Sequence, residues 1–139
     1  MKELNQKTLV FDARSVNESF ARVTAAAFLS QLDPTLQEIA EIKTIVSEAV
    51  TNCIVHAYKN KVGTVYITVS LLRGGVLRVA VRDKGCGIED VRRAREPLYT
   101  TDAAGERSGM GFTVMENFMD KLSVYSRKGE GTLVVMTKR

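Results

Sequence analysis

The sequence is poor in cysteine, in histidine, in charge of one sign and in long apolar runs, and each shortage closes off a class of function. Its two cysteines, Cys53 and Cys86, are too few for a disulfide framework, and no C-x-x-C spacing offers a metal site. The one histidine, His56, has no second ligand beside it and makes a poor metal centre. No apolar run reaches the length of a membrane span, and the N-terminal MKELNQK lacks a signal-peptide core. A soluble cytoplasmic protein with no membrane partner is the expectation. Basic residues number 20 and acidic ones 16, a net charge of +4, and the excess is mild and spread out. The densest basic cluster, Arg92, Arg93 and Arg95, reads as a solvated helix face or a surface for an acidic partner. No helix-turn-helix or aromatic-interleaved basic patch supports a direct nucleic-acid role. The usual nucleotide motifs are missing too: there is no G-x-x-x-x-G-K-[ST], no H-R-D or D-F-G, and no G-x-G-x-x-G after a first strand.

What is present suits a single domain over residues 1–139: the chain is 139 residues long and 45% hydrophobic, enough for one packed core. Residues 7–13 read as a first strand. Ser15 to Glu18 has the pattern of a capping box, opening a helix with Phe20, Val23, Thr24, Ala27 and Phe28 on its inner stripe. Asp33 is placed as N-cap of a second helix, with Pro34 at its first position. The apolar stripe of that helix, Leu36, Ile39, Ile42, Val46, Ala49, Val50, Cys53 and Ala57, carries it to about Tyr58. The β-branched, alternating stretch 64–71 and its partner 76–82 form a hairpin about Arg73-Gly74-Gly75. A short helix is expected over 89–96, a polar loop over 98–108 and a helix over 109–119 with Phe112, Met115 and either Phe118 or Met119 inward. Strands at 122–127 and 132–137 close the chain. Helices set between antiparallel hairpins predict an α+β two-layer sandwich, its sheet mixed and mostly antiparallel, with the helices on one face.

Three polar clusters carry the chemistry. Glu48, Asn52 and His56 recur every four residues and so stack on one helix face. That row is either a solvated face or a carboxylate, an amide and an imidazole set in line. Asn52 can offer a carbonyl oxygen to a hard cation, and Glu48, a turn away, can then orient or deprotonate an attacking hydroxyl. Asp83 ends a strand and is followed by Gly85 and Gly87. This is a tight turn, or a carboxylate for an exocyclic amine with glycines that let backbone approach a flat ligand. Gly109 and Gly111 open a helix, which is a plain junction or an anion site made of free N–H groups. Arg107 just upstream is an exposed loop residue or a guanidinium for a terminal phosphate. Glu18 and Arg22, four apart on the first helix, form a surface pair or contact a partner.

Together, Glu48 with Asn52, Asp83 with Gly85 and Gly87, and Gly109 with Gly111 resemble the three boxes of the GHKL ATPase family. Segments outside the boxes, NESFARVTAAAF, QLDPTLQEIAEIKTIVSEAVTN, PLYTT and ERSGMGFTVMENFMD, are similar to its sporulation anti-sigma branch of serine-protein kinases. The resemblance implies the Bergerat ATP-binding sandwich with a lid at about 99–108. It implies ATP and Mg²⁺ as cofactors, Asp83 on the adenine amino group, Asn52 as metal ligand, Glu48 as catalytic base and Arg107 near the γ-phosphate. Thr100, Thr101, Ser108, Gly109 and Gly111 complete the implied nucleotide site; Glu18 and Arg22 of the first helix are the candidate partner contacts. The implied partners are an RNA polymerase sigma factor, an anti-anti-sigma protein phosphorylated on serine, and a second copy of the chain. A stress-type sigma factor, or a histidine-kinase-like ATPase role, is the alternative.

Overall fold

The computed structural model describes residues 3–96 and 111–139. Among them a five-stranded sheet is built from β1 (Glu3–Asp12), β2 (Thr64–Leu72), β3 (Val76–Asp83), β4 (Lys121–Arg127) and β5 (Gly131–Lys138) in the order β1-β2-β3-β5-β4. Every neighbouring pair is antiparallel. Alternation decides which side is covered. Val65, Ile67 and Val69 of β2, Val79 and Val81 of β3, and Val134 and Met136 of β5 join one buried cluster with the helices. The opposite face carries Thr8, Tyr66, Thr68, Arg82 and Tyr125, all exposed or half-buried.

Helix α1 (Glu18–Leu29) turns a different side inward from the expected one. Ala21, Ala25, Phe28 and Leu29 are buried, whereas Phe20 is 59% and Val23 58% exposed. Two stripes of helical period compete here, and the alanine one lets α1 approach its neighbour closely. The capping box at Ser15 does not form either: Ser15–Asn17 is a 3₁₀ turn without a side-chain cap. The Asn17 amide instead donates to the Asp12 carbonyl, and Glu18 is engaged elsewhere.

Helix α2 (Leu36–Thr51) begins later than expected. Asp33, at φ 50, closes the preceding turn in the left-handed region. Thr35 caps α2 in a full box, accepting from the Glu38 N–H at 3.0 Å while the Thr35 N–H donates to the Glu38 carboxylate at 2.9 Å. Two reciprocal bonds outweigh the single one Asp33 would offer. Leu36, on the first turn, is exposed, and Ile45, outside the expected stripe, is fully buried.

The most consequential departure is at the end of α2. Asn52–Ala57 continues it as a π-helix, so the row Glu48, Asn52, His56 does not lie on uniform α geometry. The Tyr58 N–H donates to the Cys53 carbonyl and the Asn60 N–H to that of Ile54. Such widened turns are rare and cluster at functional sites.

Tyr58 fastens this turn to the sheet: its hydroxyl donates to the Thr64 carbonyl at 2.6 Å and accepts the Lys84 N–H at 2.7 Å. Tyr58→Phe strips both backbone groups of their partner. A loss of about 1–2 kcal/mol is expected, read as a lower urea midpoint at unchanged slope.

The remaining elements are α3 (Val91–Ala94), capped by Asp90, and α4 (Gly111–Phe118). The Arg95 guanidinium pairs with Glu116 and ties the two together. Phe112, Met115 and Met119 are buried, as their spacing predicts. No helix among the described residues is long and apolar enough to cross a membrane.

Candidate functional site

A cavity of about 310 Å³ opens between the π-turn, the loop after β3 and the start of α4. Val81, Asp83, Thr132 and Val134 of the sheet line it, and Asn52, Cys53 and His56 face them from the π-turn. Cys86, Gly87 and Ile88 of the glycine loop and Gly111 and Phe112 of α4 complete it. The lining is mainly apolar with a few polar groups set into it, the usual composition of a small-molecule site.

Asp83 is the buried charge of this cavity, 6% exposed. It is the last residue of β3 and is paired with Val65 on one side and Thr132 on the other. The Gly85 N–H donates to its Oδ1 at 2.9 Å, and the Cys53 thiol stands 3.7 Å from Oδ2 as donor. Burial raises its pKa, with the Gly85 N–H, the Cys53 thiol and the Thr132 backbone pulling the other way. The carboxylate therefore gains from any ligand that brings a donor.

The glycine loop is pinned from both sides. The Cys86 N–H donates to the Ala57 carbonyl at 3.0 Å, the Gly129 N–H to the Cys86 carbonyl at 2.6 Å, and the Ile88 N–H to Ser126 Oγ at 2.7 Å. A Cβ at Gly85 would run into the Ala57 backbone, and one at Gly87, where φ is +76, into the Arg127 carbonyl.

Glu48 and Asn52 converge on the N-terminus of α4. A Cβ built at Gly111 would stand 3.2 Å from Asn52 Nδ2, 3.3 Å from Asn52 Oδ1 and 3.3 Å from Glu48 Oε2. One glycine thus marks where a carboxylate, an amide and a helix N-terminus meet. The donor set bears on a metal: among the described residues no group of three His, Cys, Asp or Glu could hold an ion. A lone amide oxygen beside a carboxylate suits Mg²⁺ that keeps its waters and takes its remaining ligands from phosphate.

The structure thus brings together Asn52, Asp83, Gly87 and Gly111 on the cavity, with Gly85 bonded to Asp83 and Glu48 at Gly111. Thr100, Thr101, Arg107, Ser108, Gly109 and the expected lid lie outside the described residues. Glu18 and Arg22 are not a surface pair. Glu18 accepts from the Thr51 hydroxyl at 2.6 Å and Arg22 donates to Ser47 Oγ at 2.9 Å, so each grips α2 next to Asn52 or Glu48. Cys53, expected to be a core filler alone, is 3% exposed yet also borders the cavity. Thr132 and Lys128 of the last hairpin line the cavity as well, and the sequence marks them only as strand and turn.

The family model of the histidine kinase-like ATPase domain matches residues 10–138. The chain is similar to the anti-sigma F factor of Anoxybacillus flavithermus, 58% identical over 135 residues that cover 96% of this chain and 92% of the relative. It is 55% identical to the anti-sigma F factor of a Thermoanaerobacter species over 138 residues, 99% of this chain and 96% of the relative. Among solved structures, the RsbU and RsbW domains of a Mycobacterium tuberculosis protein match with a TM-score of 0.69 at 20% identity, over 97% of this chain and 32% of that one. That likeness concerns the fold.

Proposed function

The chain belongs to the histidine kinase-like ATPase domain family and shares more than half its residues with anti-sigma F factors, and from this we propose that it is a single-domain anti-sigma factor and serine-protein kinase. Its cavity takes ATP. It binds and silences a sporulation sigma factor of RNA polymerase, and it phosphorylates a serine of the anti-anti-sigma protein that would otherwise displace it. It works as a homodimer in the cytoplasm. The observation that carries the reading is the meeting of Glu48, Asn52 and Gly111 beside a cavity whose buried polar anchor is Asp83.

Each residue then has a role. Asp83 accepts the adenine amino group, while Gly85 and Gly87 keep the loop flat against the base. Asn52 holds Mg²⁺, which when bound neutralises phosphate charge. The N–H groups at the start of α4, with Gly109, Gly111, Thr100, Thr101, Arg107 and Ser108, receive the phosphates. Glu48 takes the proton of the attacking serine hydroxyl as the new O–P bond forms and the bond from the γ-phosphorus to the β-phosphate oxygen breaks, releasing ADP. Glu18 and Arg22 meet the protein partners. Their bonds to Thr51 and Ser47 join that surface to the helix that carries Glu48 and Asn52.

The test is direct. The purified protein is incubated with γ-labelled ATP, Mg²⁺ and a candidate anti-anti-sigma protein, with Asn52→Ala as control. Acid-stable label on serine, lost in the control, is the expected result. Nucleotide binding without transfer would overturn the kinase reading, and acid-labile label on a histidine would replace serine as the acceptor.

A further inference from the structure

We propose that Cys53 is a positioning residue for base recognition: its thiol, donated to Asp83 Oδ2, holds the carboxylate where it selects adenine. This rests on the reading of Asp83 as the acceptor of the adenine amino group.

The argument is geometric. Asp83 has one oxygen fixed by the loop that follows it, through the Gly85 N–H at 2.9 Å. Its other oxygen is fixed from the opposite layer, through Cys53 Sγ at 3.7 Å. The side-chain torsion of an aspartate is broad, being about an sp³–sp² bond, and the Cys53 thiol adds to the Gly85 N–H and the Thr132 backbone in restricting it. With a hold on each oxygen the plane of the carboxylate is restricted, and Asp83 lines the cavity, where its remaining lone pairs can meet a ligand's donor. Cys53 is 3% exposed, so the bond is made with little competition from solvent.

The backbone explains how one residue can be core and recognition element together. Asn52 and Cys53 are consecutive, and both line the cavity from the start of the π-turn. Asn52 looks toward Gly111, where phosphate is proposed to bind, and Cys53 toward Asp83, where the base is proposed to bind. The widened turn therefore sets both ends of the nucleotide from adjacent residues. A residue that only filled space would support adenine and any other purine alike. A residue that orients the carboxylate matters for ATP, whose amine donates. It matters little for ITP, whose O6 brings an acceptor to the same place.

The experiment compares Kd for ATP and ITP in the full chain, wild type against Cys53→Ala, Cys53→Val and Cys53→Ser. Alanine and valine remove the donor, one leaving a small void and the other filling it, and serine keeps a donor. Both donorless variants are expected to bind ATP about five- to tenfold more weakly, the scale of an ordinary net hydrogen bond and fitting for a weak thiol donor, with ITP changed less than about twofold. Serine is expected to restore the wild-type ratio. Equal weakening of ATP and ITP in alanine and valine, or a serine variant no better than valine, would overturn the proposal. Asp83→Asn separates the two layers of the argument. If the wild-type ATP-to-ITP ratio is near one and this variant leaves it there, the reading of Asp83 itself has failed, and the role of Cys53 falls with it.

Discussion

Glu48→Gln is expected to lower serine phosphorylation at least about a hundredfold, the lower end of what a positioned general base contributes, while ATP affinity stays within about twofold. Glutamine keeps the size and one acceptor oxygen of the side chain and loses its charge and its basicity. Glu48 is half-buried on α2 and does not line the cavity, so the base and sugar of a nucleotide have no contact there to lose. Its Oε2 instead faces Gly111, beside the Asn52 amide, which is where the reacting phosphate would be held. A variant that binds normally and transfers slowly separates the two functions of the site. Single-turnover transfer of labelled phosphate, alongside nucleotide titration of the same preparation, reads both. Transfer at the wild-type rate would remove Glu48 as the base, and a large loss of ATP binding would make it a binding residue instead.

The parts of this site that the sequence displays are those whose chemistry is local. The alternation of 64–72 and 76–83 yields the hairpin and delivers Asp83 to a strand end, and D-x-G-x-G shows where backbone must come close. Glu48 and Asn52 are legible because their separation of one α-turn lies within α2 and at its boundary. What stays hidden depends on partners far along the chain. The Cys53 thiol meets a carboxylate thirty residues away, and nothing near Cys53 marks it as more than core. The π-turn has no signature of its own. It is held by the Tyr58 N–H on the Cys53 carbonyl and by the Cys86 N–H on that of Ala57, the second a tertiary bond. The expected inner stripe of α1, with Phe20 and Val23, is the larger of two with helical period, and packing on the neighbouring helix favours the one with Ala21 and Ala25. At Asp33 a good cap lost to a reciprocal pair two residues on, which shows that single-residue preferences yield when a neighbour offers one more bond.

Gly131 was legible only as a turn residue, and its replacement is expected to be the most destabilising alanine substitution among the glycines of the last hairpin. It opens β5 at φ +106, and a Cβ there would run into the Asp83 carbonyl oxygen and stand 2.8 Å from the Lys84 Cα. Both obstacles are backbone, at the point where β3 enters the glycine loop, so neither can swing aside. Left-handed strain of about 1–3 kcal/mol adds to overpacking of a similar size, and a loss of about 3–5 kcal/mol is expected from Gly131→Ala. Gly129→Ala supplies the contrast: φ there is +82 and nothing lies within 4 Å of the added carbon. It carries the strain without the overlap and should lose about 1–2 kcal/mol. Urea unfolding of the two variants beside wild type measures the difference directly. The surviving folded fraction of Gly131→Ala should also bind ATP more weakly than that of Gly129→Ala, because the added methyl pushes on the backbone of Asp83. Equal destabilisation by the two substitutions would mean that the hairpin can shift away from β3, and that the close approach does not hold the carboxylate in place.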